Sequence, residues 1–270
     1  AHYSLAEVDR QTAEERGKYL VSSDRVIGVE LNGEVRAYPL NILFVDEIGN
    51  DEIGGVPRVT AYNPLADSSA VFDRRVNGET LTFGVSGLVY NSNLVMYDER
   101  APESAAAESL WSQVQARAIA GPAAADGESL RLISAQLMSW AEWRSRHPET
   151  TVLARDPDMK KRYKRTYNQY FDSDKLHFPV DPLPPDGGAA LKSRMLVVFI
   201  DGQPHGESLD QLAASADAEG RVVKTIDGRS IEFTVRADPL VGWARDASTG
   251  ELLPLMWCAR FAWWSMLRGE

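Results

Sequence analysis

The sequence predicts an α+β fold dominated by strands, with two similar antiparallel β-rich halves and a central helix. Three observations predict it. First, residues 25–40 are echoed without a gap by residues 194–209. Each stretch reads as a strand, an Asn32-Gly33 or Asp201-Gly202 hairpin turn that needs φ > 0, and a returning strand that enters a short polar-apolar segment. Second, residues 76–83 are echoed by residues 226–233 as a hairpin of the same kind, and residues 93–97 match residues 239–243 more loosely. Third, helical periodicity is clearest over residues 135–147, between the two halves. Matches in one order on both sides of a helix imply an internal repeat.

Along the chain, residues 1–24 read as an N-terminal segment, residues 25–150 as the first half, 151–192 as a connector and 193–270 as the second half, the halves packing as one unit. Within the first half, residues 56–62 alternate and residues 70–72 are apolar, so both are expected to be strands. Pro64 ends the earlier one, because it lacks the ladder N–H and pushes Asn63 to an extended conformation. For the helix, Ser134 is the expected cap, Leu137, Trp140, Ala141 and Trp143 fall at helical intervals, and Pro148 stops it. Residues 181–188, rich in Pro and Gly, read as irregular chain.

With 270 residues, 44% of them hydrophobic, the chain can bury a sizeable core as one large domain or two small ones. A formal charge of −10 and a pI near 5.0 argue against nucleic-acid binding, which needs a basic face. The basic run Lys160-Lys161-Arg162-Tyr163-Lys164-Arg165 is short and reads as a solvated surface or local charge network. A single cysteine, Cys258, excludes an intrachain disulfide and a multi-cysteine metal site, and its apolar neighbours suit a buried thiol rather than a nucleophile. The histidines His2, His147, His177 and His205 show no paired ligand spacing. No phosphate loop, dinucleotide fingerprint or nucleophile elbow occurs, and neither a metal nor a cofactor is expected. No run approaches the ~18 apolar residues of a membrane span, while cytoplasmic and exported locations and the oligomeric state stay open.

The densest polar segment is the turn from Tyr62 through Asn63, Asp67 and Ser68. A loop of short amide and oxygen side chains between rigid strands is where chemistry tends to sit, the alternative being a hairpin in which these groups cap their own backbone. The segment also lies in the stretch that the first half has and the second lacks. Several motifs of the first half, including Val26-Ile27-Gly28-Val29-Glu30, Gly54-Gly55-Val56-Pro57, Phe83-Gly84-Val85-Ser86-Gly87-Leu88, Tyr90-Asn91-Ser92-Asn93 and Leu110-Trp111-Ser112-Gln113, resemble the bacterial and archaeal family called domain of unknown function 3179. The resemblance runs from about residue 25 to 261. Relatives typically read Tyr-Cys-Pro-Leu-Cys at the turn and carry a histidine before the Glu-Ile pair; here those positions are Asn63, Ala66 and Asp46. A metal or redox role resting on those thiols is therefore not carried over.

What remains is a set of carboxylates, Asp46, Glu47 and Asp67, with Tyr62, Asn63, Ser68, Ser86, Tyr90, Asn91, Trp111 and Gln113 as substrate-binding candidates. A carboxylate desolvated beside Trp111 or Tyr90 would titrate near neutrality and act as general acid or base, while Asn63, Ser68 and Gln113 would donate to developing charge on a substrate oxygen. The expectation is a metal-independent small-molecule enzyme of cyclisation, elimination or isomerisation type, with a non-enzymatic binding domain or a degenerate relative of a Cys/His metal-site protein as alternatives. The structural alternatives are that Asp46 caps a helix start, Glu47 pairs with Arg58 and Trp111 is plain core.

Overall fold

The hairpin turns set the frame. In the computed structural model, which describes residues 1–14, 19–100, 107–155 and 168–268, Asn32 and Gly33 turn at φ 49° and 83° and Asp201 and Gly202 at 49° and 79°. Both central residues are thus left-handed, the conformation whose twist matches the flanking strands and that Asn, Asp and Gly tolerate best. In chain order the elements are β1 (His2–Tyr3), α1 (Leu5–Glu14), β2 (Arg25–Leu31), β3 (Glu34–Pro39), α2 (Leu40–Asp46), β4 (Ile48–Ile53), β5 (Val56–Asn63) and β6 (Ser68–Asp73). Next come β7 (Arg75–Val76), β8 (Glu79–Thr80), β9 (Phe83–Tyr90), β10 (Asn93–Asp98), β11 (Leu110–Ser112), β12 (Arg117–Ala120), α3 (Pro122–Ala125), β13 (Gln136–Ser139), α4 (Trp140–Arg146), β14 (Thr151–Leu153) and α5 (Asn168–Phe171). The second half holds β15 (Arg194–Ile200), β16 (Gln203–Ser208), α6 (Leu209–Ser215), β17 (Arg221–Ile226), β18 (Arg229–Ala237), β19 (Leu240–Asp246), β20 (Leu255–Ala259) and α7 (Arg260–Met266).

The fold is α+β and strand-dominated. A five-stranded sheet has the order β1-β14-β3-β2-β13, and a six-stranded sheet the order β16-β15-β20-β6-β5-β4. Smaller sheets are β12-β11-β10-β9, β17-β18-β19 and the β7-β8 pair. The six-stranded sheet takes β4, β5 and β6 from the first half and β15, β16 and β20 from the second, meeting where Ser69 lies opposite Trp257. Both of its faces are covered. Tyr62 and Val71 join one core with Val26, Tyr38 and Trp143, whereas Val59, Ala61 and Phe72 join the other with Phe83, Trp111 and Cys258. This is why β6 is buried at every position and reads as an unbroken run.

The two echoed hairpins occupy like positions in different sheets. β2 pairs antiparallel with β3 on one side and β13 on the other, and β15 does so with β16 and β20. Arg25 stands opposite Ser139 and Arg194 opposite Ala259, and each of those partners is the N-cap of a short helix, α4 or α7. Trp143 and Trp263, at the same step of the two helices, lie against a glycine in their own hairpin. A Cβ on Gly28 would come 2.1 Å from the Trp143 ring, and one on Gly206 2.4 Å from that of Trp263.

The central helix is shorter than the periodicity suggests. Residues 136–139 form strand β13, and the helix begins at Trp140, where the Ser139 hydroxyl accepts from the Glu142 N–H; Ser134 instead bonds the Leu252 carbonyl. Sheet pairing with β2 overrides the local helical pattern, because four apolar-rich residues fit either period. Parts of the flanking segments also join the first sheet, His2–Tyr3 as β1 and Thr151–Leu153 as β14. The basic run at residues 160–165 lies outside the described residues.

Candidate functional site

The turn of interest closes the β5–β6 hairpin, with Asn63 opposite Ser68. Its first side chain is a cap: Asn63 Oδ1 accepts from the Ala66 N–H at 3.0 Å. Because a backbone N–H can only donate, this bond fixes the amide's orientation and leaves Nδ2 as the unpaired donor. Ala66 is fully buried, its carbonyl accepting from the Ala259 N–H.

Asp67 stands at φ 41° with a buried carboxylate. Arg25 donates to both its oxygens at 2.9 and 2.8 Å, Arg194 Nε to Oδ2 at 2.7 Å, and the Tyr62 hydroxyl to Oδ1 at 3.0 Å. Burial alone would raise the carboxyl's pKa, but the two guanidiniums outweigh it and hold it at about 2. Burial and the neighbouring carboxylate in turn push the Tyr62 hydroxyl well above its usual value. The acid-base role expected for Asp67 does not fit this setting, since the group stays ionised and is held by two guanidiniums and a hydroxyl. Tyr62, similarly, holds Asp67 rather than substrate.

Behind the turn lies a buried amide network, in which, among the described residues, Asn93 Oδ1 alone has no partner. Ser68 Oγ donates to Gln113 Oε1 at 2.6 Å, and Asn93 Nδ2 reaches both Ser68 Oγ and Gln113 Oε1, at 2.6 and 3.1 Å. Gln113 Nε2 donates to the carbonyls of Ala61 and Ser68. Both ends of the Gln113 amide are occupied and both residues are buried, so Ser68 and Gln113 brace the hairpin and do not offer groups to a ligand.

In front of the turn is a cleft of about 340 Å³. Asn63, Pro64 and Leu65 form one wall, β9 supplies Val85, Gly87, Leu88 and Val89, and His177 and Phe178 of the connector form the third side with Glu47. The β9 wall is apolar yet open: Leu88 is 54% and Val85 42% exposed. β9 is also the edge of its sheet. Glu47 follows helix α2 at φ 55°, an uncommon backbone for a residue with a Cβ, and its carbonyl accepts from the Tyr62 N–H at 2.8 Å. Asp46 is the last residue of that helix rather than the cap of its start.

The other expected members lie elsewhere. Ser86 donates to the Val95 carbonyl across its own hairpin, and Tyr90 is an exposed ring at the end of β9. The Asn91 amide pairs with both the N–H and the C=O of Asp181, tying the β9–β10 turn to the connector. Trp111 packs edge-on against Phe83 in the core and lines a different cavity. Arg58 pairs with Asp51, which also holds Arg36, the Tyr38 hydroxyl and His2. Among the described residues no three His, Cys, Asp or Glu side chains gather to hold a metal ion, and burial pushes the lone Cys258 thiol up to about 12.

Sequence reasoning missed Arg25 and Arg194 as partners of the turn, although the gap-free echo aligns them. It also missed His177 and Phe178, for which local sequence offers no signal, because their role depends on the path of the connector. Among the described residues no helix is long and apolar enough to cross a membrane. Neither the curated proteins nor the solved structures offer a match. Residues 5–249 match the model of the family described as Protein of unknown function (DUF3179), and the chain belongs to that family.

Proposed function

We propose that the cleft in front of the β5–β6 turn binds a small organic molecule with an apolar body and a hydrogen-bond acceptor at one end, without a metal. The observation that carries this reading is the meeting, in one cleft, of the Asn63 amide, whose oxygen is committed to the turn and whose Nδ2 bonds no protein group among the described residues, with an exposed aliphatic wall on β9. Its volume falls at the low end of the roughly 300–1,000 Å³ of small-molecule sites, and a few placed polar groups in an apolar lining are their usual make-up. Where relatives carry thiols, this chain has an amide whose oxygen is committed to a turn and a buried methyl, neither of which replaces a thiolate as a ligand for a soft metal. Two of the three carboxylates expected to do chemistry do not line the cleft, which favours binding over proton transfer.

Prodan, a neutral naphthyl ketone dye, is a suitable probe, as its carbonyl accepts one hydrogen bond and its emission reports polarity. Saturable binding is expected. Asn63→Asp keeps the cap on Ala66 but replaces the donor by an acceptor, and weakens binding at least about 2- to 10-fold, the value of one hydrogen bond. Leu88→Asp weakens it more than about tenfold, while Val223→Asp, at an exposed valine remote in sequence on β17, leaves it unchanged. Binding that ignores both cleft substitutions, or never saturates, rejects the reading.

A second reading keeps the enzyme. Glu47 is held at positive φ on the cleft wall, and backbone strain of this kind concentrates at functional positions. In this reading its carboxylate takes a proton from the bound molecule. Incubation with a pooled metabolite mixture, followed by mass spectrometry, should then show a compound consumed by the parent and untouched by Glu47→Gln; identical profiles discard the enzyme and leave the binding reading standing.

A further inference from the structure

Trp111 opens a separate question. Its side chain is fully buried, and its indole Nε1–H meets no acceptor. Buried donors are nearly always paired, and one left alone calls for an account. Trp111, Leu81 and Ser109, all buried, lie on the inner side of a cavity of about 240 Å³, and Asn77, Glu79, Arg100, Asp126 and Glu128 line the same cavity nearer its mouth. That volume far exceeds the ~30 Å³ share of one water and falls below the sites of drug-sized ligands.

The polar lining selects among small occupants. Three carboxylates against one guanidinium repel an anion. Arg100 is already engaged by Glu79 Oε2 at 3.0 Å and Asp98 Oδ2 at 2.8 Å, Asn77 donates to Glu128, and Ser109 Oγ accepts from the Ala123 N–H. The lining therefore retains carboxylate oxygens that seek donors and an indole N–H that seeks an acceptor. An ammonium ion would serve the former and leave the latter unpaired, because it has no lone pair. A hydroxyl donates and accepts at once. We propose that this cavity, distinct from the cleft on β9, is a binding site for a neutral polyol of monosaccharide size, with one hydroxyl oxygen accepting from Trp111 and other hydroxyls donating to Glu128, Asp126 or Glu79.

The test is an isotope-labelled indole N–H spectrum recorded while glucose, mannose, myo-inositol or glycerol is added to about 100 mM. The Trp111 signal is identified by its loss in Trp111→Phe and, should that variant not fold, by its through-space contact with Phe83, whose ring centroid is 5.7 Å away. At least one sugar-sized polyol should move this resonance saturably at millimolar concentration while the other indoles stay in place. Combining Glu128→Gln with Asp126→Asn, which removes two charges and changes no volume, should weaken that effect at least about threefold. A resonance unmoved by every polyol means that water alone fills the cavity, and a saturable shift indifferent to both substitutions places the polyol elsewhere; either result overturns the proposal.

Discussion

Asp67→Asn is the sharpest test of how the turn is held. The substitution keeps the shape and removes the charge that Arg25 and Arg194 share. A carboxyl held at about 2 rather than at the ordinary 3.8 contributes about 2 kcal/mol at neutral pH, at roughly 1.4 kcal/mol per pH unit. Breaking a buried pair also strands the partner cations, so the full loss at pH 7 should reach about 3–5 kcal/mol. The sign fixes the pH signature. Because the folded pKa lies below the unfolded one, this stabilisation is complete above the unfolded value and is lost as pH falls through the folded one. At pH 3 the gap between parent and variant should therefore be about 1 kcal/mol smaller than at pH 7. Urea unfolding followed by tryptophan fluorescence measures both gaps. A variant within about 0.5 kcal/mol of the parent at pH 7, or a gap equal at the two pH values, refutes the reasoning.

Two further outcomes follow from packing. Gly28→Ala pushes a methyl into the Trp143 ring, which is fully buried and held through Nε1–H to Thr150, and should cost about 2–3 kcal/mol in the same urea assay; a loss under about 0.5 kcal/mol would show that the helix–sheet contact is looser than the geometry states. Cys258, buried with its thiol pushed up to about 12, should resist a thiol-specific reagent at pH 8 until urea is added, whereas prompt labelling of the folded protein would contradict its placement in the core.

The parts of this molecule that were legible in the sequence are those governed by near neighbours. Asn-Gly and Asp-Gly steps dictate φ > 0 whatever surrounds them, and the predicted turns at Asn32, Asn77, Asp201 and Asp227 all adopt it. Pro64 does end β5. What was not legible depends on contacts distant in sequence. Residues 136–139 satisfy a helical pattern and a strand equally, and only the proximity of β2 decides. Asp67 was a candidate acid on the expectation of an apolar pocket beside Trp111 or Tyr90, whereas its chemistry is set by arginines 42 and 127 positions away. Trp111 and Gln113, some 45 residues from the turn, were expected to meet it in space; Gln113 does, bracing Ser68 from behind the hairpin, whereas Trp111 sits against another cavity. Asn63 caps the backbone with its oxygen, as its neighbours suggest, and also lines the cleft.

The shared six-stranded sheet bears on how the chain can be cut. Were it severed in the connector near residue 187, the first fragment would carry β4, β5 and β6 with the flank of β6 bare, and the second would carry β16, β15 and β20 with the flank of β20 bare. Both strands are buried throughout, so each fragment would present a sticky apolar border. Complementation of the two pieces, or their aggregation when kept apart, is the behaviour such a seam imposes, because a continuous chain keeps the two borders at high effective concentration.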